Sequence, residues 1–305
     1  LVAPERSTSV KVSVGGRELS ISNLDKVMYP QTGFTKGQVI DYYTRIAPAI
    51  LPHLHNRPLT MKRYPNGVDG QTFFEKRVPV HAPDWLERVT VPISPEGTSI
   101  EYGMLNDIAG LVWAANLATL ELHVPLWRAG ETIEPPGPPD SMVFDLDPGE
   151  GTTLVECCRV AHLIADLLGE RGLQSFPKTS GSKGLHLYVP TDEDATWETV
   201  RQDAHEIAER LERDHPKLVL STMRRALRAG KVFIDWSQNH PAKTTVAAYS
   251  LRARPEPTAS TPISWEEVTR CVEESDPGLL LFTAPAVLDR VDRLGDLFAP
   301  LVQRR

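Results

Sequence analysis

The stretch VFDLDPGEG, residues 143–151, sets two carboxylates two positions apart at the end of an apolar run and just before a turn. Side chains alternate across a β-strand, so Asp145 and Asp147 share one face while Phe144 and Leu146 share the other. Carboxylates crowded on one side of a buried strand call for a positive partner, because like charges on one site raise a carboxylate pKa. A lone D-x-D does not settle what that partner is. Asp147-Pro148-Gly149 is also a turn and helix-entry signal, and Asp145 could simply pair with an arginine.

The pattern around this stretch decides the fold. Residues 142–147 read as a strand, 153–171 as a helix, 174–179 and 185–189 as strands, 196–213 as a helix and 231–236 as a strand. That order is β-α-β-β-α-β. Thr153 with Glu156 makes a capping-box signature for the first helix. Its buried stripe is Leu154, Cys158, Ala161, Ala165 and Leu168, and that of the second helix is Val200, Ala204, Ile207, Ala208 and Leu211. Two amphipathic helices on one side of a four-stranded sheet give an α+β fold. It is the split β-α-β arrangement of RRM-like and ferredoxin-like domains, with the other sheet face left open. Period-two reading sends Met142, Phe144, Leu146, Val232, Ile234 and Trp236 toward the helices, and Val143, Asp145, Asp147, Phe233, Asp235 and Ser237 to the open face. The last strand of this topology lies beside the first, so Asp145, Asp147 and Asp235 are expected to converge. Oxygen-only ligation suits Mg²⁺ or Mn²⁺ rather than zinc.

A second constellation is PKTSGSKGLHLYVP, residues 177–190, which bends at Gly181 and Gly184 between two strands of the same sheet. Glycines let backbone N–H groups approach an anion, and Ser180, Ser182 and Lys183 add hydroxyls and a charge suited to phosphate. The spacing is not that of a Walker loop. His186 and Tyr188 alternate with Leu185, Leu187 and Val189 and so face the open side, the histidine reading equally as structural or functional.

The remainder of the chain reads more coarsely. Alternation around Gly15 and Gly16 in residues 10–22 predicts a hairpin. Val39, Ile40, Tyr43, Ile46, Ala47 and Ile50 predict a helix from Thr35 that Pro52 stops, and residues 106–120 predict a second helix ahead of the strand ELHVPLW. Residues 129–141, with four prolines in PPGPP, predict an extended connector. The expected organisation is a single domain over 1–305: an N-terminal mixed α/β portion over 1–128, the connector, a core over 142–254 and a helical segment over 255–305. At 305 residues, 41% apolar and 24% charged, the composition is that of a globular protein, and no apolar run approaches membrane-spanning length. A cytoplasmic location is the default. The three cysteines have neither disulfide nor zinc spacing and are expected to be small buried residues. Net charge is −7, yet residues 217–254 hold eight lysines and arginines against the single acid Asp235, a local +7. A surface can therefore be basic where it meets a polyanion. Residues 191–214, with nine acids and three arginines, read as a solvated helix face.

With these motifs in order, the chain resembles the polymerase module of bacterial DNA ligase D, in the archaeo-eukaryotic primase-polymerase superfamily. The resemblance spans nearly the whole chain through NLDKVMYP (23–30), MKRYPNGVDGQTFFEKR (61–77), LELHVPLW (120–127), DLDPG (145–149), TSGSKGLHLYVP (179–190), LRAGKVFIDWSQN (227–239) and KTTVAAYSLRAR (243–254). It implies addition of nucleotides, commonly ribonucleotides with manganese, at DNA ends during non-homologous end joining. By resemblance the metal ligands are Asp145, Asp147 and Asp235, and the triphosphate contacts are Ser180 and Lys183 with His123 and Arg252 beside them. Phe74 resembles the base-stacking residue, with Lys62 near it and Gln238 near the ribose. Phe73 and Phe74 point oppositely on a strand, so one of them is expected in the core. Lys26 and Lys36 resemble the pair that holds a 5′-phosphate, assisted by Asn23, and Arg228 resembles the residue that positions the template.

The implied partners are gapped or broken DNA carrying a 5′-phosphate, an NTP or dNTP, two Mn²⁺ or Mg²⁺ ions and no zinc. By analogy with the family they extend to Ku and, since no K-x-D-G nucleotidylation motif occurs in the chain, to a separate DNA ligase. Two other readings compete. A Mn²⁺-dependent D-x-D glycosyltransferase explains the aspartates and the glycine-rich bend but gives the basic 217–254 segment no role. A non-catalytic RRM-like binder would want aromatic RNP strands, which the chain lacks, and acids at the centre of its face would repel a nucleic-acid backbone.

Overall fold

A computed structural model describes residues 9–94, 97–130 and 134–302. The N-terminal half runs β1 (Ser9–Val14), β2 (Arg17–Ser22), β3 (Val27–Tyr29), β4 (Phe34–Thr35), α1 (Lys36–Leu54), β5 (Thr60–Arg63), β6 (Phe73–Glu75), β7 (Arg88–Pro92), β8 (Ser99–Gly103), α2 (Ile108–Asn116) and β9 (Thr119–Val124). Then come β10 (Ser141–Pro148), α3 (Leu154–Glu170), β11 (Phe176–Thr179), β12 (Leu185–Pro190), α4 (Trp197–Asp214), β13 (Val219–Leu220), β14 (Val232–Asp235) and β15 (Thr245–Val246). Helices α5 (Trp265–Glu274) and α6 (Ala284–Leu294) follow. The chain is thus a mixed α+β protein. No helix among the described residues is long and apolar enough to cross a membrane.

The central sheet has the order β11-β12-β10-β14-β13. Strand β10 pairs antiparallel with β12 on one side and β14 on the other, so the strand bearing Asp235 does lie beside the strand bearing Asp145. The two-residue β13, parallel to β14, adds a fifth strand too short to leave a periodic signal. Met142, Phe144, Leu146, Leu185, Leu187, Val232 and Ile234 pack in one apolar cluster with α3 and α4, as alternation predicts. Of the expected α3 stripe Leu154, Cys158, Ala161 and Leu168 are buried and Ala165 is only half-buried, while Val155, Cys157, Val160, Ile164 and Leu167 are buried as well, with Val268 and Cys271 of α5 in the same cluster. All three cysteines are buried. Trp236 departs from the expected core position: the chain leaves the strand at Asp235 and turns, and Trp236 sits half-buried, stacked on His205 at 3.8 Å.

The opposite face of the sheet is not open. Val143 and Phe233 on that face are 0% and 1% exposed. A second sheet, ordered β15-β9-β5-β6, belongs to the N-terminal half. Tyr188 and Phe176 of the central sheet pack against the larger apolar cluster, built from α1, α2, β5, β9 and residues of 247–298. The reading of one sheet in isolation fails here because the cover comes from segments remote in sequence.

Smaller departures have local causes. The pattern predicts a stop at Pro52, but α1 continues to Leu54 with Pro48 and Pro52 inside it. An interior proline costs about 3 kcal/mol. Burying Val39, Ile40, Tyr43, Ile46 and Ile50, at roughly 1.5–3 kcal/mol each, offsets two of them. Helix α2 ends at Asn116, not 120, since Ala118 adopts a left-handed φ of 59° and starts the strand early. The β1–β2 hairpin forms around Gly15 and Gly16, both at positive φ. In the proline-rich connector, residues 131–133 lie outside the described residues, and 134–140 carry neither helix nor strand.

One buried side chain carries β10 past the end of its pairing with β14, which stops at Asp145–Asp235. Asn239, 0% exposed, accepts from Val143 N at 2.8 Å and donates to Val143 O and Trp236 O, each at 2.8 Å. It substitutes for a strand neighbour two residues from Asp145. Asn239→Ala orphans a buried N–H and a buried C=O of Val143, a loss of about 2–4 kcal/mol. Urea denaturation checks this, and an unchanged midpoint would contradict the role.

Candidate active site

Asp145 and Asp235 face each other directly as register partners, and His186 is the partner of Asp145 on its other side. His186 Nε2 lies 3.1 Å from Asp145 Oδ1. Gln238 Nε2 is shared between the two carboxylates, at 3.4 Å from Asp145 Oδ2 and 3.3 Å from Asp235 Oδ2. Asp235 Oδ1 also caps the following turn, accepting from Ser237 N at 3.0 Å and Ser237 Oγ at 2.5 Å. Asp147 is further along the strand, half exposed, with Arg228 Nη1 at 3.9 Å. The guanidinium of Arg228 in turn lies 3.9 Å over the Phe233 ring.

Charge and burial treat these acids differently. Burial works against ionised Asp145, but the charge and hydrogen bond of His186, with Lys178 and Arg252 behind, hold its pKa below the ordinary carboxylate value. Asp147 goes the other way. Burial, then Asp145, then Asp235 against the opposing Arg228, push it up to about 7. Among the described residues no three His, Cys, Asp or Glu side chains are gathered into a ready cation cage. The acids are held instead by protein groups: His186 for Asp145, Ser237 for Asp235, Arg228 beside Asp147, and Gln238 shared by Asp145 and Asp235. The donor chemistry nonetheless fits a hard divalent cation, being all-oxygen, anionic and self-repelling without one.

A cleft of about 480 Å³ opens beside the acids. Asp145, Asp147, Ser180, Lys183, His123, Arg252, Gln238 and Arg228 all line it. The Ser180–Gly184 bend is held by Ser180 itself, whose buried Oγ accepts from Ser182 N at 3.3 Å and Gly184 N at 3.1 Å. Close approach fixes both glycines: a Cβ on Gly184 would sit 2.4 Å from Leu146 O, and Gly181, at φ +67°, would meet Ala259 at 2.6 Å. Exposed Lys183 is left at the cleft, while Arg252 Nη1 donates to Ser180 O at 2.6 Å.

The second sheet supplies the facing wall. In one register row Phe74 pairs with Lys62, and Lys62 with Glu121. Phe74 also meets His123 edge-on at 6.3 Å. Phe73 and Phe74 are 39% and 55% exposed, so neither is core: β6 is a three-residue edge strand with little packed on either face. Glu121 is the residue that sequence reasoning passed over. It is 2% exposed and bonds His123 Nε2 at 2.9 Å. Burial alone would raise its pKa, but the His123 hydrogen bond, Arg252, His123 and Lys62 hold it well below the usual carboxylate range. The available signal was a glutamate between Leu120 and Leu122 in a strand that reads as buried.

Asn23, Lys26 and Lys36 gather where the loop before β3 meets the start of α1. Asn23 has a left-handed φ of 57°, and the N–H groups of Lys36 and Gly37 donate to Lys26 O and Leu24 O, both at 2.8 Å. Lys26 is exposed, with Nζ 3.3 Å from Asn66 Oδ1. Lys36 is only 5% exposed and donates to Ser22 O at 2.6 Å. Burial and then Lys26 lower its pKa to about 8.

Comparison with known proteins identifies the family. The family model described as LigD, primase-polymerase domain, matches residues 35–298. The multifunctional non-homologous end joining protein LigD of Mycolicibacterium smegmatis is 48% identical over 281 residues, 92% of this chain and 36% of that protein. The bifunctional LigD of Bacillus subtilis is 32% identical over 279 residues, 91% of this chain and 43% of its own length. The chain therefore spans well under half of these curated relatives. The polymerase domain of Mycobacterium tuberculosis ligase D, solved in complex with DNA, superposes with a TM-score of 0.87 at 46% identity, covering 94% of this chain and 98% of that one. By sequence and by fold, the chain belongs to the LigD primase-polymerase domain family and is a nucleotidyltransferase of a class that uses divalent metal.

Proposed function

We propose that this domain adds nucleotides, preferentially ribonucleotides, to primer 3′ ends at DNA gaps and breaks in non-homologous end joining. The observation that carries the reading is a cleft in which Asp145 and Asp147 of β10, with Asp235 as the register partner of Asp145 on the next strand, face a glycine-bent loop, a lysine and an arginine. We read residues 1–305 as one primase-polymerase domain whose β10–β14 unit is an RRM-like, ferredoxin-like catalytic sheet, a reading its strand order supports. Asp145, Asp147 and Asp235 would hold two Mg²⁺ or Mn²⁺ ions. Such ions lower the pKa of a 3′-OH and offset charge at the α-phosphate during in-line displacement.

The chain's own groups divide the remaining work. Lys183 and Arg252 neutralise the departing pyrophosphate, Ser180 braces the loop beneath it, and His123 offers a further phosphate contact. Phe74 gives the base a platform that reads no sequence, with Lys62 beside it and Gln238 toward the ribose. Arg228 positions the template. Asn23, Lys26 and Lys36 take the 5′-phosphate across the gap, where charge-assisted contacts dominate affinity. Ku and a DNA ligase activity are what a repair reaction of this kind calls on. Family membership removes the ground for a glycosyltransferase or a bare RRM-like binder.

Extension of a 5′-phosphorylated gapped duplex with Mn²⁺ and either NTPs or dNTPs tests the reading. Asp235→Ala, or Asp145→Ala with Asp147→Ala, drops nucleotide addition below detection while DNA binding stays within about twofold, because phosphate contacts elsewhere supply that affinity. Extension retained by either variant sinks the mechanism.

The end-recognition half has its own test. Lys36, with its pKa lowered to about 8, carries full charge below that pH and loses it above. The preference for a 5′-phosphate over a 5′-hydroxyl end should therefore weaken as pH climbs from 7 to 9. Lys36→Arg, charged throughout, should flatten the profile. A preference constant over that range in the native protein would remove Lys36 from the contact.

A further inference from the structure

Glu121 sits at a junction that the division of labour above leaves unexplained. Its Oε2 is 2.9 Å from His123 Nε2 and 3.5 Å from Arg252 Nε. Its Oε1 is 3.4 Å from Lys62 Nζ and accepts from Tyr64 Oη at 3.2 Å and Ala253 N at 3.1 Å. Three basic side chains from three separate segments thus meet at one carboxylate that is 2% exposed. A buried carboxylate with this many donors is strongly held, and it fixes the groups that hold it.

What those groups do next is visible in the geometry. Arg252 Nε is buried beside Glu121 Oε2 in an ion-pair contact without a hydrogen bond, while its Nη1 donates to Ser180 O, so the guanidinium spans from the facing wall to the glycine-bent loop. His123 is tied through Nε2, which presents Nδ1 as its free ring nitrogen and sets the ring plane that Phe74 meets at 66°. The backbone carrying Arg252 is itself pinned by tyrosines. Tyr29 Oη donates to Arg252 O at 3.0 Å, and Leu251 N donates to Tyr43 Oη at 3.0 Å. We propose that Glu121 is the positioning residue of the nucleotide pocket: it aims His123, Arg252 and Lys62 at a bound triphosphate and, through His123, seats the Phe74 base platform. This rests on reading the cleft as the nucleotide site.

The sign of a substitution separates aim from charge. Removing an anion near the cleft would, by Coulomb attraction alone, tighten binding of a polyanionic triphosphate. Loss of aim loosens it. Steady-state addition of ATP to a gapped 5′-phosphorylated duplex with Mn²⁺ is measured for the native protein, Glu121→Gln and Glu121→Asp. For Glu121→Gln the KM for ATP rises about tenfold or more, with kcat falling less than about threefold. Glu121→Asp, which keeps the charge but draws it back by one methylene, raises KM by a smaller factor.

A second readout is one that a merely structural role would not move. His123 faces Glu121, Arg252 and Lys62, and Glu121 is the neighbour that favours its charged form. In Glu121→Gln its imidazole titration, followed by NMR, moves to lower pH. A KM that falls or stays level in Glu121→Gln, or an unmoved His123 titration, overturns the inference. Should Glu121→Gln fail to fold, Glu121→Asp decides, an unchanged KM counting against the proposal. Failure of the native protein to incorporate ATP would instead strike at the nucleotide reading of the cleft.

Discussion

Three carboxylates brought to one end of two adjoining antiparallel strands need positive or hydrogen-bonding partners, and the cleft is organised around supplying them. Asp145 meets Asp235 in register, and Asp147 stands two residues further on. The protein answers each acid in its own way: His186 for Asp145, Ser237 for Asp235, Arg228 for Asp147, with Gln238 shared by Asp145 and Asp235. Asp147, the most exposed, is left with a pKa of about 7. A fold optimised for stability alone would have no reason to assemble such a group, since replacing a buried charge with a well-packed apolar residue is often neutral or stabilising. On the proposed reading, these acids are the part of the domain that takes a divalent cation.

The facing wall inverts the problem. There one acid, Glu121, meets a crowd of cations, and burial is tolerated because every oxygen is bonded. The cleft thus lies between an anion-rich strand pair and a cation-rich one, joined by the Arg252 bridge to the Ser180 carbonyl. On the proposed reading a nucleoside triphosphate with its metal would follow that polarity, cation side to the aspartates and phosphate side to His123, Arg252 and Lys183.

Much of this was legible in the sequence, for physical reasons. Alternation fixes which face a strand residue takes, so the placement of Asp145, Asp147 and Asp235 on one face of neighbouring strands could be read from the β-α-β-β-α-β order. Caps and stripes gave α3 and α4 to within a residue or two. What could not be read was what covers the other face. Val143 and Phe233 are buried, and Tyr188 and Phe176 of the same sheet pack against segments distant in sequence, a contact that no local period encodes. Phe73 defeats period-two reasoning because an edge strand of three residues has no core to face. Trp236 defeats it because the strand has already ended. Glu121 went unnoticed because two of its partners, Lys62 and Arg252, come from segments distant in sequence, although the third, His123, lies on its own strand.

The central claim is that the aspartate face is a cation site completed by nucleotide, and manganese counting tests it most directly. Titration of Mn²⁺ followed by electron paramagnetic resonance, with and without a non-hydrolysable NTP, should show up to two ions bound per chain when nucleotide is present. Occupancy should fall sharply in Asp145→Asn with Asp147→Asn. Manganese that stays free in the native protein with nucleotide, or that binds the double variant just as well, would contradict the account.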